Sequence, residues 1–538
     1  MKLSKWFKNP IVKTSFFFIL VLIITIKTSA MNYNTSILVV MIAYMAFIIL
    51  WGIYQGRKVK NSSDFAIAGR KLPGWVAALS ERATGESSWA LLGLPGAAYA
   101  TGLLEVWTAI GCVFGILFAW IVLAWRLREE AEKYETDTFT DYIAQKHGEI
   151  GKWIRIVGSF TIVFFFFFYV GAQFLGGGKT LESLFGINRS IGMIIVVVLV
   201  VPYTIYGGFR SVTYTDVIQA IVMIITLILA PIAGIIYLSN QPEGTLYATS
   251  ISEALAKAGD SYSTMAGGAT LMEGSRLYNF LISIFPNSLE VVKGVGAGVI
   301  IASAFSWFFG YLGGQPQLSM RFMAISDTKH AKKARNIGVA WTVIAYIGAL
   351  MIGWIGIAIF GPNGLSDQET VMPEVLTTLF NPFIAGILIT GVLAAVISTA
   401  NSLLILSATE LSENLIKPLR KSSGKTYNPL TQSRVITAAL SVIALILAYL
   451  SPSDLIYKIV GYVWAGIGST FSVVIMLTLF WKRYHGKAVL LTIITGLIFT
   501  ITWIQTGMDE IISARVMTFM VAMLVAVLGT YFIPANQK

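Results

Sequence analysis

Leu79-Ser80-Glu81-Arg82-Ala83-Thr84-Gly85-Glu86-Ser87-Ser88-Trp89 sits in the middle of an apolar run, 73–99, that has the length of a bilayer crossing. Its three charges are costly in lipid, at about 2.5–3.5 kcal/mol for each one placed at a helix centre. A crossing helix tolerates irregular backbone only where protein or a water-filled cavity can satisfy the freed polar groups. The stretch therefore reads either as a loop between two short segments or as a break in a spanning helix that lines a cavity. Intramembrane charges generally mark a substrate or ion path, which favours the second reading.

A second interruption is Trp307-Phe308-Phe309-Gly310-Tyr311-Leu312-Gly313-Gly314-Gln315-Pro316. Its glycines lower helix propensity by about 1 kcal/mol each, and Pro316 removes a backbone donor. Unwinding there would release carbonyls for a cation and helix-end dipoles for a charged ligand. A plain proline kink is the competing reading. The segments holding the two breaks begin near 73 and 294, each followed by about four further apolar runs. That placement is the sequence pointer to an inverted-repeat architecture with a midplane site, although no residue-level repeat accompanies it. A third element, Gly391–Ser402, puts Ala395, Ser398, Thr399 and Ser402 on one helical face. Close packing of small residues and oxygen ligation of a hard cation both explain that face.

The rest of the chain agrees with a membrane protein. Of 538 residues, 56% are hydrophobic and only 12% charged, about half the charge of a soluble domain. Spans fall near 36–55, 73–99, 104–125, 154–178, 190–208, 214–238, 294–316, 337–360, 382–410, 434–450, 455–481, 487–506 and 512–533. The expected class is all-α and polytopic, with thirteen crossings, or fourteen if the hydrophobic leader 1–30 is an extra helix rather than a signal peptide. The net charge of +12 sits in short alternate loops (Arg57 to Lys71, Arg126 to Lys133, Arg321 to Arg335, Lys417 to Lys425, Lys482 to Lys487), so it reads as a topology signal and not as a nucleic-acid surface. Those loops and the C-terminus are expected in the cytoplasm, with the protein multi-pass in the inner (plasma) membrane. One cysteine, Cys112, and three histidines leave no set for a disulfide or a transition-metal site. No phosphate-binding loop or clustered catalytic set is visible, so neither an enzyme nor a cofactor is expected.

The order of motifs resembles the sodium/solute symporter family, and within it the sodium/proline symporters. Those motifs are Ser63-Asp64-Phe65 with Gly69-Arg70, then Gly93-Leu94-Pro95-Gly96-Ala97, Glu105-Val106-Trp107 and Tyr214 to Ala220. Gln315-Pro316 with Arg321 to Ala324, Ala394 to Thr399, and Tyr462-Val463-Trp464-Ala465-Gly466 complete the series. The resemblance implies a ten-helix core of two inverted five-helix repeats, 73–238 and 294–481. Outside it lie an accessory helix and loop (31–72), an extracytoplasmic loop (239–293) and C-terminal accessory helices (482–538). It implies a sodium site of the carbonyls of Ala83, Glu86 and Ala395 with the hydroxyls of Ser398 and Thr399. It implies a solute site walled by Trp307, Tyr311 and Pro316, to which Trp89, Tyr169 and Gln315 are added. Arg70 and Asp216 match residues important for coupling, and Glu81, Arg82 and Ser87 join them as candidates in the first break.

Two departures bear on mechanism. Gly85 stands where sodium/proline symporters carry an aspartate, and Glu86 follows where they carry methionine. Glu81 and Arg82 replace small residues, and Gly313-Gly314 adds a glycine to the second break. The expected activity, of a protein seated in the lipid bilayer, is sodium-driven uptake of a small organic solute, an amino acid such as proline. A transporter of a small amino acid or monocarboxylate that uses Glu86 for protons instead of sodium is the alternative, with a structural Glu–Arg pair as its competitor. A non-transporting solute sensor is a remote third. Arg82 is a candidate partner for a solute carboxylate.

Overall fold

The computed structural model describes residues 33–266, 271–417, 429–451 and 453–534, so the leader and Arg420, Lys421 and Lys425 lie outside the described residues. Helices account for nearly all of it, and no strand occurs among the described residues. Eleven helices are long and apolar enough to cross a membrane. One of them, Gly74–Lys133, is interrupted at Gly102, whose φ of +64° ends the first run, so it supplies two crossings. A shorter apolar helix, Arg189–Pro202, supplies another, which brings the described residues to the thirteen spans expected.

In chain order the crossings are α1 (Tyr33–Gly56), α2 (74–101), α3 (105–133), α4 (Gly151–Phe185), α5 (Arg189–Pro202) and α6 (Thr204–Ser239). The second broken helix follows as two halves, α7 (Leu289–Gly310) and α8 (Pro316–Met323). Then come α9 (Thr328–Phe360), α10 (Pro382–Ile416), α11 (Leu430–Tyr449), α12 (Ile456–Phe480), α13 (Gly486–Gln505) and α14 (Ala514–Phe532). Boundaries follow local chemistry. Asp327 caps α9 by accepting from His330 N at 2.9 Å, and Asn381 caps α10, with Pro382 at its first turn. Gly186 closes α4 in the left-handed conformation. The continuous helix 189–239 bends at Gly208, where φ is +57° and the Phe65 ring leaves no room for a Cβ.

Burial is greatest in α10, the axis of the bundle, where 83% of the hydrophobic window is covered, against 22% in α14. The loops rich in Lys and Arg gather at one end, called here the basic end. Two exceptions correct the loop reading: Arg321 is 1% exposed and Arg128 is 2% exposed. Arg128 donates to the carbonyls of Ile325 and Ser326. The same segment pairs with the chain ahead of α2, Leu72 N donating to Ala324 O at 3.1 Å and Ser326 N to Leu72 O at 2.9 Å. Arg70 reaches Thr136 O and lies 3.7 Å from Asp137. Burial lowers the Arg70 pKa, and Asp137 opposes that shift.

The opposite end is tied by a buried ion cluster. Lys179 of α4 lies 2.7 Å from Glu369 and 2.8 Å from Asp367. Glu369 also accepts the N–H groups of Ile456 and Tyr457, both at 2.9 Å, and so caps α12. Removing one partner of such a pair strands a buried charge, so Lys179→Met should cost about 3–5 kcal/mol. The expected reading is a lowered unfolding midpoint in detergent, largely restored in Lys179→Met/Glu369→Gln. An unchanged midpoint in the single variant would show that water already screens the pair.

Candidate solute and cation site

The first break is concentrated at one residue. Helical hydrogen bonding runs from Gly74 to Ser88, but Ser87 has φ +53° and ψ −169°, and a π-helical turn, Trp89–Gly93, follows. Such a backbone costs on the order of 1–3 kcal/mol and persists only where surroundings enforce it. Here the surroundings are side chains. Trp89 N donates to Ser87 Oγ at 3.0 Å, and Ser88 N donates to Gln173 Oε1 of α4 at 3.0 Å. From α10, Ser398 Oγ donates to Ala83 O at 3.0 Å and to Ala395 O at 3.1 Å, while Thr399 Oγ1 donates to Thr84 O at 3.0 Å.

Ala83, Ala395, Ser398 and Thr399 therefore meet where α2 crosses α10. The carbonyl of Glu86 accepts from Trp89 N beyond the kink. Thr84 stands in the cluster through its carbonyl. Oxygen atoms alone make up this meeting point, the donor set that suits a hard cation. Among the described residues no group of three or more His, Cys, Asp or Glu forms a metal-binding cluster.

The second break is unwound from Tyr311 to Gln315, with Gly313 at φ +86°. Gly314 N donates to Ser472 Oγ of α12 at 3.1 Å, and Ser319 Oγ returns to Gly313 O at 2.8 Å. Pro316 starts α8, where its missing N–H is no loss. Gln315 is buried beside it, its Oε1 accepting from Gln317 while its Nε2 finds no partner.

Between the breaks lies an aromatic cluster. Ring centroids of Trp89 and Trp307 are 4.3 Å apart, and Trp464 of α12 lies 5.9 Å from Trp307, 5.3 Å from Tyr311 and 5.3 Å from Tyr169. Tyr346 and Tyr457 close it, 5.8 and 6.3 Å from Trp89. Trp89, Tyr169, Trp307 and Tyr311 are thus brought together. Trp464, which joins three of them, belongs to a quoted motif but carries no mark of its role beyond the glycines at 461, 466 and 468 around it. The indole N–H groups of Trp89 and Trp464 have no hydrogen-bond partner. Buried unpaired donors are rare in folded proteins and are what a polar solute would satisfy.

Charges flank this cluster in two closed networks. Arg82 pairs with Glu81 and, at 3.0 Å, with Glu86, and also donates to Thr342 Oγ1 at 3.1 Å. Trp120 Nε1 donates to Glu81 at 3.1 Å. Arg82 is therefore committed within the protein and is not presented to a solute. Nearer the basic end, Arg321 of α8 pairs with Asp216 of α6 at 3.1 Å and donates to Ser80, Thr84 and Ser402 at 3.0, 2.7 and 2.5 Å. Asp216 in turn accepts from Ser80 at 2.6 Å, and its Oδ1 has no partner. Sequence pattern counted Arg321 as a loop charge because it stands only five residues from the polar segment beginning at Ser326.

A model of the sodium:solute symporter family matches residues 65–496. The high-affinity proline transporter of Bacillus subtilis (strain 168) is 33% identical over 479 residues, covering 88% of this chain and 94% of that one. Sodium/proline symporter 2 of Staphylococcus saprophyticus is 30% identical over 525 residues, covering 94% of each chain. Among solved structures, a Na+-coupled sialic acid symporter in a substrate-bound outward-open state has a TM-score of 0.74 over 94% of this chain and all of its own, at 17% identity. A nucleobase-cation-symport-1 family transporter in a closed conformation has a TM-score of 0.50 at 13% identity, covering 88% of this chain and 96% of that one. These two likenesses concern the fold.

Tight packing at the second break gives a direct test. A Cβ at Gly310 would collide with the Trp464 ring, whereas Gly298 in the same helix has nothing within 4 Å of its Cβ position. Gly310→Ala should cost about 1–3 kcal/mol by overpacking, with a shift in tryptophan fluorescence. Gly298→Ala should be neutral or stabilise by up to about 1 kcal/mol. Equal midpoints and spectra for the two variants would place Trp464 elsewhere.

Proposed function

The chain belongs to the sodium:solute symporter family, and from that premise we propose that it carries proline, or a closely similar small amino acid, across the cell membrane together with sodium. It is a multi-pass membrane protein that couples sodium to uptake of a small solute. The observation that carries the cation assignment is Ser398 Oγ, within 3.0 Å of Ala83 O on one helix and 3.1 Å of Ala395 O on another. When sodium enters, those hydroxyls turn their oxygens to the ion and the carbonyls join them. The ion then replaces two interhelical hydrogen bonds by ligation that holds α2 on α10. Glu86 contributes through its side-chain network rather than its carbonyl.

The solute occupies the aromatic cluster, its apolar body against Trp89, Trp307, Tyr311, Tyr169 and Trp464, with Gln315 Nε2 and the free indole N–H groups as polar contacts. The core is α2–α6 and α7–α12 as two inverted five-helix sets, with α1, α13 and α14 accessory. The basic end faces the cytoplasm, as does the C-terminus. Alternating access rocks the two broken helices against the remaining core, driven by differential ion binding to the outward state. Arg321 and Asp216 close the cytoplasmic side of the path in the conformation described. No catalytic step and no resident cofactor enter this mechanism.

One observation favours a second coupling scheme. Arg82 faces two carboxylates, so one of Glu81 and Glu86 lacks a cation of its own, and Glu86 Oε2 has no partner. A proton on Glu86 would balance that network. Both schemes meet in one experiment, radiolabelled proline uptake into proteoliposomes under an imposed sodium or pH gradient. Sodium-dependent uptake, reduced at least about tenfold (about 1.4 kcal/mol) in Ser398→Ala/Thr399→Ala, is the expected outcome. Uptake that ignores sodium, follows the pH gradient and fails in Glu86→Gln would replace sodium by protons.

A further inference from the structure

The last helix, α14, sends one charge into the solute region. Arg515 Nε donates to Ser306 Oγ at 2.8 Å, and Nη2 donates to Ser303 O at 3.1 Å, both on α7. The Arg515 carbonyl accepts from Ser469 Oγ of α12 at 2.9 Å. Its guanidinium carbon lies 4.5 Å from the centroid of the Trp307 ring. Gly461 of α12 makes the approach possible, since a Cβ there would lie 2.6 Å from Nη1 and 3.9 Å from Trp307 Cζ2. Two crossings of the core thus form a slot that receives a side chain from outside it.

The electrostatic position of Arg515 differs from that of the other cations in these layers. Arg82 faces Glu81 and Glu86, Arg321 faces Asp216, and Lys179 faces Asp367 and Glu369. Arg515 has no carboxylate within 4 Å among the described residues, and its hydrogen bonds go only to a hydroxyl and a backbone carbonyl. Glu105 connects to it indirectly, through Tyr457 Oη at 2.9 Å and Trp307 Nε1, which donates to that hydroxyl at 3.3 Å. The guanidinium is half-buried, held flat by an indole face and two directed hydrogen bonds, and Nη1 has no hydrogen-bond partner among the described residues. A preorganised planar fork beside an aromatic wall is the arrangement that takes a carboxylate with two parallel hydrogen bonds.

We infer that Arg515 recognises the carboxylate of the solute at the mouth of the aromatic cluster, making the last crossing helix a selectivity element for carboxylate-bearing solutes. This rests on the reading of the cluster as the solute site. Arg82 was the sequence's candidate for this task, and its saturation by Glu81, Glu86 and Thr342 leaves the role to Arg515. In the approach to the site the carboxylate meets Nη1 first. It then exchanges the weak neutral acceptors of the guanidinium for a charged one, while the solute body slides along Trp307.

The test uses the reconstituted full chain, sodium-driven [3H]proline uptake, and competition by proline and by its neutral carboxamide, prolinamide. Arg515→Gln should raise the proline KM by about 10- to 100-fold, the range of a lost charge-assisted pair, with maximal rate and half-saturating sodium changed less than about twofold. The preference for proline over prolinamide should fall toward one. Arg515→Lys, which keeps the charge but not the fork, should weaken proline by a smaller factor and leave prolinamide unaffected. A purely structural Arg515 would lower the amount of active protein or the maximal rate and leave the acid-to-amide preference at its wild-type value. If Arg515→Gln does not fold, Arg515→Lys decides alone: an unchanged preference overturns the inference. Wild-type protein that takes proline while both variants keep its selectivity refutes only the role of Arg515. Wild-type protein that takes only solutes without a carboxylate refutes the functional reading and this inference together.

Discussion

Backbone groups released inside an apolar bundle have no water to turn to, and the structure is organised around answering that need. At Ser87 the chain leaves helical geometry, and at Tyr311–Gln315 it leaves the helix altogether. Polar groups freed nearby are met by side chains from neighbouring helices, Gln173 on α4, Ser398 and Thr399 on α10 and Ser472 on α12, and by Ser87 and Ser319 within the broken helices themselves. Each such bond contributes only about 0.5–1.5 kcal/mol net, but leaving one unmade inside the bundle costs more. This makes α10 the axis. It must be small enough to approach α2 closely and polar enough to repair it, which explains a run of Ala, Ser and Thr in the most buried crossing.

The same requirement orders the charges. Arg82 and Arg321 sit on the two broken helices, and each is answered within the fold: one by Glu81 and Glu86 on its own helix, the other by Asp216 across to α6. The ion pairs of the first network lie within α2, and Thr342 of α9 and Trp120 of α3 hydrogen-bond to its edges. The second bridges elements and includes Thr84 and Ser402, so it exists only while α2, α6, α8 and α10 are together. A charge network within one body stiffens that body, whereas one between bodies records their relative position. The aromatic cluster lies between the two breaks, while Lys179, Asp367 and Glu369 tie the end opposite the basic one.

Much of this was legible in the sequence because breaking a transmembrane helix requires rare residues. Glu81, Arg82 and Glu86 in one apolar run, and Gly310, Gly313, Gly314 and Pro316 in another, could not be mistaken for ordinary crossings. The face of Ser398 and Thr399 was visible from spacing, although spacing alone could not separate packing from ligation. What stayed hidden was set by tertiary geometry. Thr84 contributes through its backbone, which no side-chain pattern announces. Arg321 looked like a loop charge because a helix half of eight residues lies close to its loop, and nothing in the pattern around Arg515 set it apart. At Glu86 the kink falls at the next residue, so its carbonyl accepts from Trp89 N, a partner that spacing does not announce. The extent of the leader and the segment after Lys417 lie outside the described residues.

The paired strands of chain at the basic end have a mechanical meaning. Leu72 exchanges two backbone hydrogen bonds with the Ala324–Ser326 segment, and Arg128 clamps the latter to α3. The lower tips of both broken helices are thereby joined as if on one axle. Moving one tip without the other would break these two backbone bonds, at about 0.5–1.5 kcal/mol net each. The departures from helical geometry lie higher, at Ser87 and at the unwound Tyr311–Gln315. A change at either break is then felt at the other through the shared bonds of their tips.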